Sequence, residues 1–388
     1  MKSKVALVAC PDYRVETLKK AISRGVRFFG GWEGIFSSQE SVLLKPNLLV
    51  GENPKKAVNT HPHLLQAVAE LLVERGQAVG FGDSPGFGSA QRAAQKAGYE
   101  DIAKKLGLSL ADFQSHKLVP FPDGMQQKSF SIARGVLAYD AILSLPKWKT
   151  HGLTRVTGAI KNQFGCVPGL LKSEFHFQLP DTYHFSRMLV DLTRLLRPHF
   201  FIVDAIVAME GNGPRAGRPI ELGLLALGMD PVALDATLSR VIDLEPQKVP
   251  TCVEGEKGEL GFWQKEKIEL VGDDFSLFFH PNFKVERGPL VENRSNPLFK
   301  VARGIVLPRP AINGNLCQKC GVCVDICPSR PKSLDWKNKK DVPRHRYHSC
   351  IRCFCCQEMC PYGAITVETP LFGRLIGLGR ERKLLSES

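Results

Sequence analysis

Short apolar runs alternate with amphipathic segments through the first 300 residues. KVALVA, SVLLKP, QAVGFGD, AILSLP, FFIVDA and LGLLAL read as strands. Helices are predicted over 15–29, 61–76, 88–97, 184–196 and 230–242. Within 61–75 the apolar residues Leu64, Leu65, Val68, Leu71 and Leu72 share one face, and Gly76 supplies a stop. Asp230 followed by Pro231 gives the last helix its start. Regular strand–helix alternation predicts a large, mostly parallel-sheet α/β domain, in which ligands collect at the carboxyl ends of strands. Polar residues cluster at those ends: Lys45 and Asn47 after SVLLKP, Asp83 and Ser84 after QAVGFG, Lys147 after AILSLP, and Asp204 after FFIV.

The periodicity fades between about 272 and 311, where prolines 281, 289, 297, 308 and 310 interrupt it. The expected organisation is an α/β domain over 1–300, a linker at 301–311, a cysteine-rich module at 312–370 and a basic tail at 371–388. The tail could lie on a membrane surface or a partner, or form a docked helix. The module contains CQKCGVCVDICP at 317–328 and CIRCFCCQEMCP at 350–361, two in-register copies of C-x2-C-x2-C-x3-C-P. Zinc also accepts four thiolates, but it is usually held by two pairs of cysteines, whereas three thiolates crowded on one loop suit a cubane. The module resembles the two-[4Fe-4S] bacterial ferredoxins, a small α+β ferredoxin-like fold. That resemblance implies one cluster on Cys317, Cys320, Cys323 and Cys360. It implies the other on Cys350, Cys353, Cys356 and Cys327, with the last cysteine of each run crossing over. Cys355 is left over, an unligated thiol between two ligands. Cys10, Cys166 and Cys252 are expected as buried small apolar residues.

Composition adds a basic excess. The formal charge is +13, and residues 300–388 carry 16 Lys and Arg against 7 Asp and Glu. The loop between the cysteine runs holds seven cations against two acids, which could dock an acidic electron donor. Basic residues without interleaved aromatics, apart from Trp148 and Trp336, do not point to nucleic acid. No apolar run approaches the roughly 20 residues of a transmembrane helix. MKSKVALVAC imitates a lipoprotein leader, but its apolar core at 5–9 is shorter than the roughly 7–15 residues a signal needs, so it reads as the first strand. A cytoplasmic protein of anaerobic metabolism, with reduced thiols, is the expectation.

Chemistry concentrates in PKWKTHGLTRVTGAIKNQFG, residues 146–165, which has four Lys and Arg and no acid. Thr154, Thr157 and Lys161 are three and four apart, spacing that predicts one helical face. The glycines of GDSPGFG allow close backbone approach to a ligand, while Walker and Rossmann fingerprints are both absent. Lys45, Asn47, Asp83, Ser84, Lys147, Lys149, His151, Thr157, Lys161 and Asn162 therefore form a candidate site for a small anionic substrate or an unidentified anionic cofactor. His151 and Lys147 are the candidate catalytic proton donors. Asp204, Glu210 and Asp230 could orient these cations, or Asp230 could simply cap its helix. Capping or packing is also the expectation for His61 and His63. VLLKPNLL, HPHLLQAVAELLVERG, GDSPGFG, LPKWKTHGLTRVTGAIKNQFGCVPG, VDAIVAMEGNGP and MDPVALDA, in this order, resemble the uncharacterised family called domain of unknown function 362, over residues 1 to about 245. Members of that family often carry a C-terminal ferredoxin module.

Three functions follow as expectations. The first is an iron–sulfur oxidoreductase passing electrons from two [4Fe-4S] clusters to an anion in the α/β domain. The second is a non-catalytic carrier or maturation factor whose lysine-rich stretch docks an acidic redox partner protein. The third is a racemase or lyase with structural clusters.

Overall fold

The computed structural model describes residues 2–36, 40–169, 171–179, 181–290, 305–336 and 338–379. A mixed, mostly parallel sheet runs in the order β12 (Ile268–Gly272), β1 (Ser3–Ala9), β11 (Arg218–Gly228), β10 (Phe200–Glu210), β7 (Ala141–Leu145), β2 (Val42–Pro46), β3 (Val79–Phe81) and β4 (Ser109–Leu110). Only the pairings of β11 with β1 and β10 on this path are antiparallel. A separate hairpin joins β5 (His116–Pro120) to β6 (Ser129–Ala133).

Alternate residues of the central strands feed two cores, one on each side of the sheet. Ala6, Val8, Leu44 and Leu143 pack with α1 (Val15–Arg27) and α2 (Pro62–Val73), while α3 (Ala90–Lys96) and α4 (Glu100–Leu106) extend this side. Val5, Leu7, Val203 and Ala226 face the other side. There they meet α5 (Ala159–Asn162), α7 (Thr182–Leu196), α8 (Pro231–Val241) and α9 (Pro250–Lys257), with the short helix α6 (Leu171–Gln178) beside them. Central parallel strands buried on both faces explain why their sequences are continuous apolar runs.

The expected helical face of Thr154, Thr157 and Lys161 does not form. Residues Lys147–His151 are strand β8 and Arg155–Thr157 are strand β9, paired antiparallel across a turn at 152–154. The alternation Lys-Trp-Lys-Thr-His suits a strand, with its β-branched and aromatic residues on one face. Arg155 leaves the turn at φ 67°, and helix starts only at Ala159. Pro146 separates β7 from β8, and the two strands follow β10 in succession. Phe200 pairs with Leu143, and Asp204 pairs with Lys147. The sheet thus parts beyond Pro46 and Pro146, at the carboxyl ends of its strands. FFIVDA also runs further than expected, to Glu210, through a bulge between Ala205 and Val207.

In the cysteine module, β13 (Arg309–Ile312) pairs antiparallel with β16 (Ile365–Glu368), and β14 (Leu334–Asp335) pairs with β15 (Arg344–His345). Arg309 to Ala311, expected as linker, are therefore already part of the module's ladder. The rest of that linker through 304, and the tail from 380, lie outside the described residues.

Candidate functional site

Strand β8 presents Lys147, Lys149 and His151 on one face, because successive strand residues point to opposite sides. All three are buried, as is Lys45 on β2. A buried cation costs several kcal/mol unless it is paired and hydrogen-bonded, and each lysine meets this differently. Lys45 forms an ion pair with Asp83, 2.9 Å away, and also donates to Pro46 O. Gly165 makes room for that pair, since a Cβ there would sit 1.8 Å from Asp83 Oδ1. Lys147 lies 2.9 Å from Asp204 and donates to Tyr13 Oη. Lys149 has only neutral acceptors, Asn47 Oδ1 at 2.8 Å and Val58 O at 2.6 Å. Burial, then repulsion by Lys161 and Lys147, lowers its pKa to about 7.

His151 accepts hydrogen bonds at Nδ1 from the amides of Leu153 and Thr154, 3.1 Å each. A neutral ring with Nδ1 so occupied carries its proton on Nε2. That nitrogen lies 2.5 Å from Glu358 Oε1, on the cysteine module. Burial lowers the His151 pKa, and although burial opposes ionisation of Glu358, His151 and Lys161 hold its carboxyl well below the usual range. The pair is thus a neutral imidazole set against a carboxylate.

Glu358 belongs to the helix Cys355–Met359, which seats the module on the α/β domain. Gln357 donates to Asn212 Oδ1 and Gly213 O, and Arg215 donates to Met359 O while pairing with Glu52. Between the two parts lies a chamber of about 90 Å³. Asn47, Asp83, Ser84, Lys149, His151, Thr157, Lys161 and Asn162 all line it. The opposite wall is Cys355, Glu358 and Met359, spaced one helical turn apart on one face. Lys147 does not line it: the expected proton donor is spent on Asp204 and Tyr13. Asp204 and Glu210 also serve structure, Glu210 pairing with Arg218 and accepting from Lys284 N, and Asp230 caps α8. His61 caps α2 and stacks on Tyr13, and His63 Nδ1 lies 2.9 Å from Tyr13 O. A larger cleft of about 570 Å³ lies on the other side of His151. Leu290 and Gly379 on its edge are the last described residues before 291 and 380, and no site is placed there.

The cysteines sort into two groups in space. Cys317, Cys320, Cys323 and Cys360 line one small cavity. Cys327, Cys350, Cys353 and Cys356 line another. None is in a disulfide among the described residues, and four convergent thiols in each cavity fit the donor set of a [4Fe-4S] cluster. Cys355 belongs to neither cavity and turns to the chamber instead. Cys10, Cys166 and Cys252 are buried, as expected.

Residues 316–364 match the 4Fe-4S dicluster domain. Residues 42–240 match the domain of unknown function DUF362, spanning β2 to α8. The chain belongs to the DUF362 family. The thylakoid-associated protein sll1697 of Synechocystis sp. is 33% identical over 285 residues, covering 71% of this chain and 88% of that protein. The lactate racemase apoprotein of Thermoanaerobacterium thermosaccharolyticum gives a TM-score of 0.38 at 11% identity, over 61% of this chain and 56% of that one. A Thermotoga maritima protein gives a TM-score of 0.34 at 11% identity, over 64% and 60%. No helix among the described residues is long and apolar enough to cross a membrane.

Within this DUF362 chain the chamber also includes residues that the sequence did not assign to it: Lys172, His176, Glu358, Met359 and the left-over thiol Cys355. Spacing on the helix Cys355–Met359 was the available signal for the last three. Nothing local marks Lys172, whose pKa burial lowers to about 7. In the unfolded chain this lysine is protonated up to about pH 10.5. Between pH 7 and 10.5 the unfolded state therefore binds more protons at this position, and Lys172's contribution to stability rises with pH. Denaturant unfolding at pH 7.5 and 9.5 checks this. Wild type gains stability relative to Lys172→Met at the higher pH, whereas an unchanged difference would exclude a depressed pKa.

Proposed function

We propose that this protein is an iron–sulfur oxidoreductase of the cytoplasm and of anaerobic metabolism, acting on a small anion held between its two parts. We assign one cluster to Cys317, Cys320, Cys323 and Cys360 and the other to Cys350, Cys353, Cys356 and Cys327. When bound, the clusters supply one-electron transfer. The observation that carries this reading is the five-residue helix Cys355–Met359, which sends Cys356 into a four-cysteine cavity and Cys355, Glu358 and Met359 into the chamber wall. Asn47 orients Lys149, and Asn162 ties the chamber floor to Lys45 O and Ser144. Lys149, with a pKa near neutrality, is suited to holding and giving up a proton, a role Lys147 is too occupied to fill. His151 and Glu358 close the wall and exclude water.

The lysines of 146–165 are interior, so they offer no docking face for an acidic carrier. Exposed Arg330, Lys339, Lys340 and Arg344 on the module do, and an acidic electron donor is proposed to bind there.

Anaerobic titration tests the enzyme reading. Chemically reduced protein is mixed with small anions, and cluster reoxidation is followed by visible absorption. A productive anion reoxidises wild type, while Lys149→Met and Lys161→Met slow the reaction tenfold or more. Reoxidation at the wild-type rate in both variants sinks the site assignment.

A further inference from the structure

The chamber's unused hydrogen-bonding capacity is mostly donor, and it lies toward Phe164. Lys149 is committed to Asn47 and Val58, Thr157 donates to Lys147 O, and Asn162 donates to Lys45 O. Lys161 differs. Among the described residues its ammonium makes no hydrogen bond or ion pair, and it sits 5.5 Å from the centre of the Phe164 ring. Lys172 uses one N–H on Ser84 O, while Ser84 Oγ accepts from Gly169 N and keeps its own O–H. His176 is 95% buried, clamped between Phe185 and Phe164, and its Nδ1 has no partner.

The charges are unequal as well. Lys149, Lys161 and Lys172 face the chamber against one unmatched carboxylate, Glu358, because Asp83 is already paired with Lys45. Two positive charges are left without a counter-ion. Resting on the reading of this chamber as an anion site, we propose that Lys161, Lys172, Ser84 and His176 hold a compact dianion, a tetrahedral oxyanion or a small dicarboxylate.

A monoanion would leave one ammonium unmatched and a neutral molecule two, and although Lys161 and Lys172 are only partly buried, an uncompensated charge drawn out of water is costly. A volume of about 90 Å³ falls below the roughly 300–1,000 Å³ of pockets that bury drug-sized ligands, which favours a compact one. Burial lowers the pKa of Lys161, and those of Lys149 and Lys172 to about 7, so the ligand-free chamber sheds protons that a dianion restores. The other titratable groups facing them do not provide this compensation. His176 is held neutral by burial, His151 is bound to Glu358, and Cys355 brings a thiol.

The test is calorimetric titration of the full-length, iron-loaded protein under nitrogen at pH 7.5, in two buffers of different ionisation enthalpy. Malonate, inorganic phosphate and acetate are the probes. At least one dianion binds tenfold or more tightly than acetate, with proton uptake, and the preferred one distinguishes dicarboxylate from tetrahedral oxyanion. Lys161→Met weakens it at least tenfold at wild-type iron content. Lys161→Arg, which keeps the charge, retains binding, and Lys117→Met on the exposed β5–β6 hairpin changes nothing. Acetate binding as tightly as both dianions, or neither dianion binding, overturns the proposal. So does unchanged affinity in Lys161→Met. Dianion binding here, with no reoxidation by any reducible anion in the anaerobic titration, would instead leave this proposal standing and remove the oxidoreductase reading.

Discussion

Replacing Asp204 with alanine will destabilise the α/β domain by about 3–5 kcal/mol, the usual cost of stripping one partner from a buried ion pair. The carboxylate sits at the centre of the parted sheet and has no exposure. It accepts from Lys147 Nζ, Tyr13 Oη and the amide of His61, so alanine leaves one buried and two part-buried donors short of an acceptor. The loss is larger at neutral than at alkaline pH. Burial already lowers the Lys147 pKa, and removing Asp204 lowers it further, so the variant regains stability as pH rises and Lys147 folds neutral. Asp204→Leu combined with Lys147→Met replaces the pair with apolar groups and should cost less than Asp204→Ala alone. Urea unfolding of wild type and the two variants measures this. Equal losses in the single and double variants would mean that Lys147 is not the group left stranded.

The second large effect separates neighbouring cysteines. Cys356→Ala will lower iron from about eight to about four atoms per chain, whereas Cys355→Ala will keep the full complement. Sequence position alone would put Cys360 with the second cysteine run. The cavities place it instead with Cys317, Cys320 and Cys323, so Cys360→Ala should damage the cluster of the first run. Iron analysis, with electron paramagnetic resonance of the reduced proteins, reads all three outcomes. Loss of iron in Cys355→Ala would overturn the proposed ligand sets.

Much of this was legible in the chain. Buried parallel strands announced themselves as apolar runs, and the helices of 61–76 and 230–242 by periodicity and caps. The grouping of strand-end polar residues was legible too, because parallel topology gathers Lys45, Asn47, Asp83 and Ser84 at one edge, although Lys45 pairs with Asp83 and does not line the chamber. The 146–165 stretch misled because the spacing of Thr154, Thr157 and Lys161 imitates a helical face, and because its lysines could equally have formed a docking surface. They are interior, and only the sheet's separation beyond Pro146 gives Lys147 and Lys149 their different fates. Gly158 had the same kind of hidden role: a Cβ there would sit 2.0 Å from Asp235 Oδ1, the carboxylate that caps α5. Asp235 lies 77 residues along the chain, beyond the reach of any local pattern. The far wall of the chamber was invisible for a related reason, since Glu358 meets His151 only after the module docks.

That docking also bears on the order in which the protein matures. One short helix carries both an iron-ligating cysteine and the residues that close the chamber. Gln357 and Arg215 already tie this helix to the α/β domain, and on the proposed ligand set a cluster on Cys356 would anchor it to the cysteine module as well. Loading of the metal centre would then stiffen the wall built on Glu358 and Met359, so metal content and ligand retention are expected to rise together.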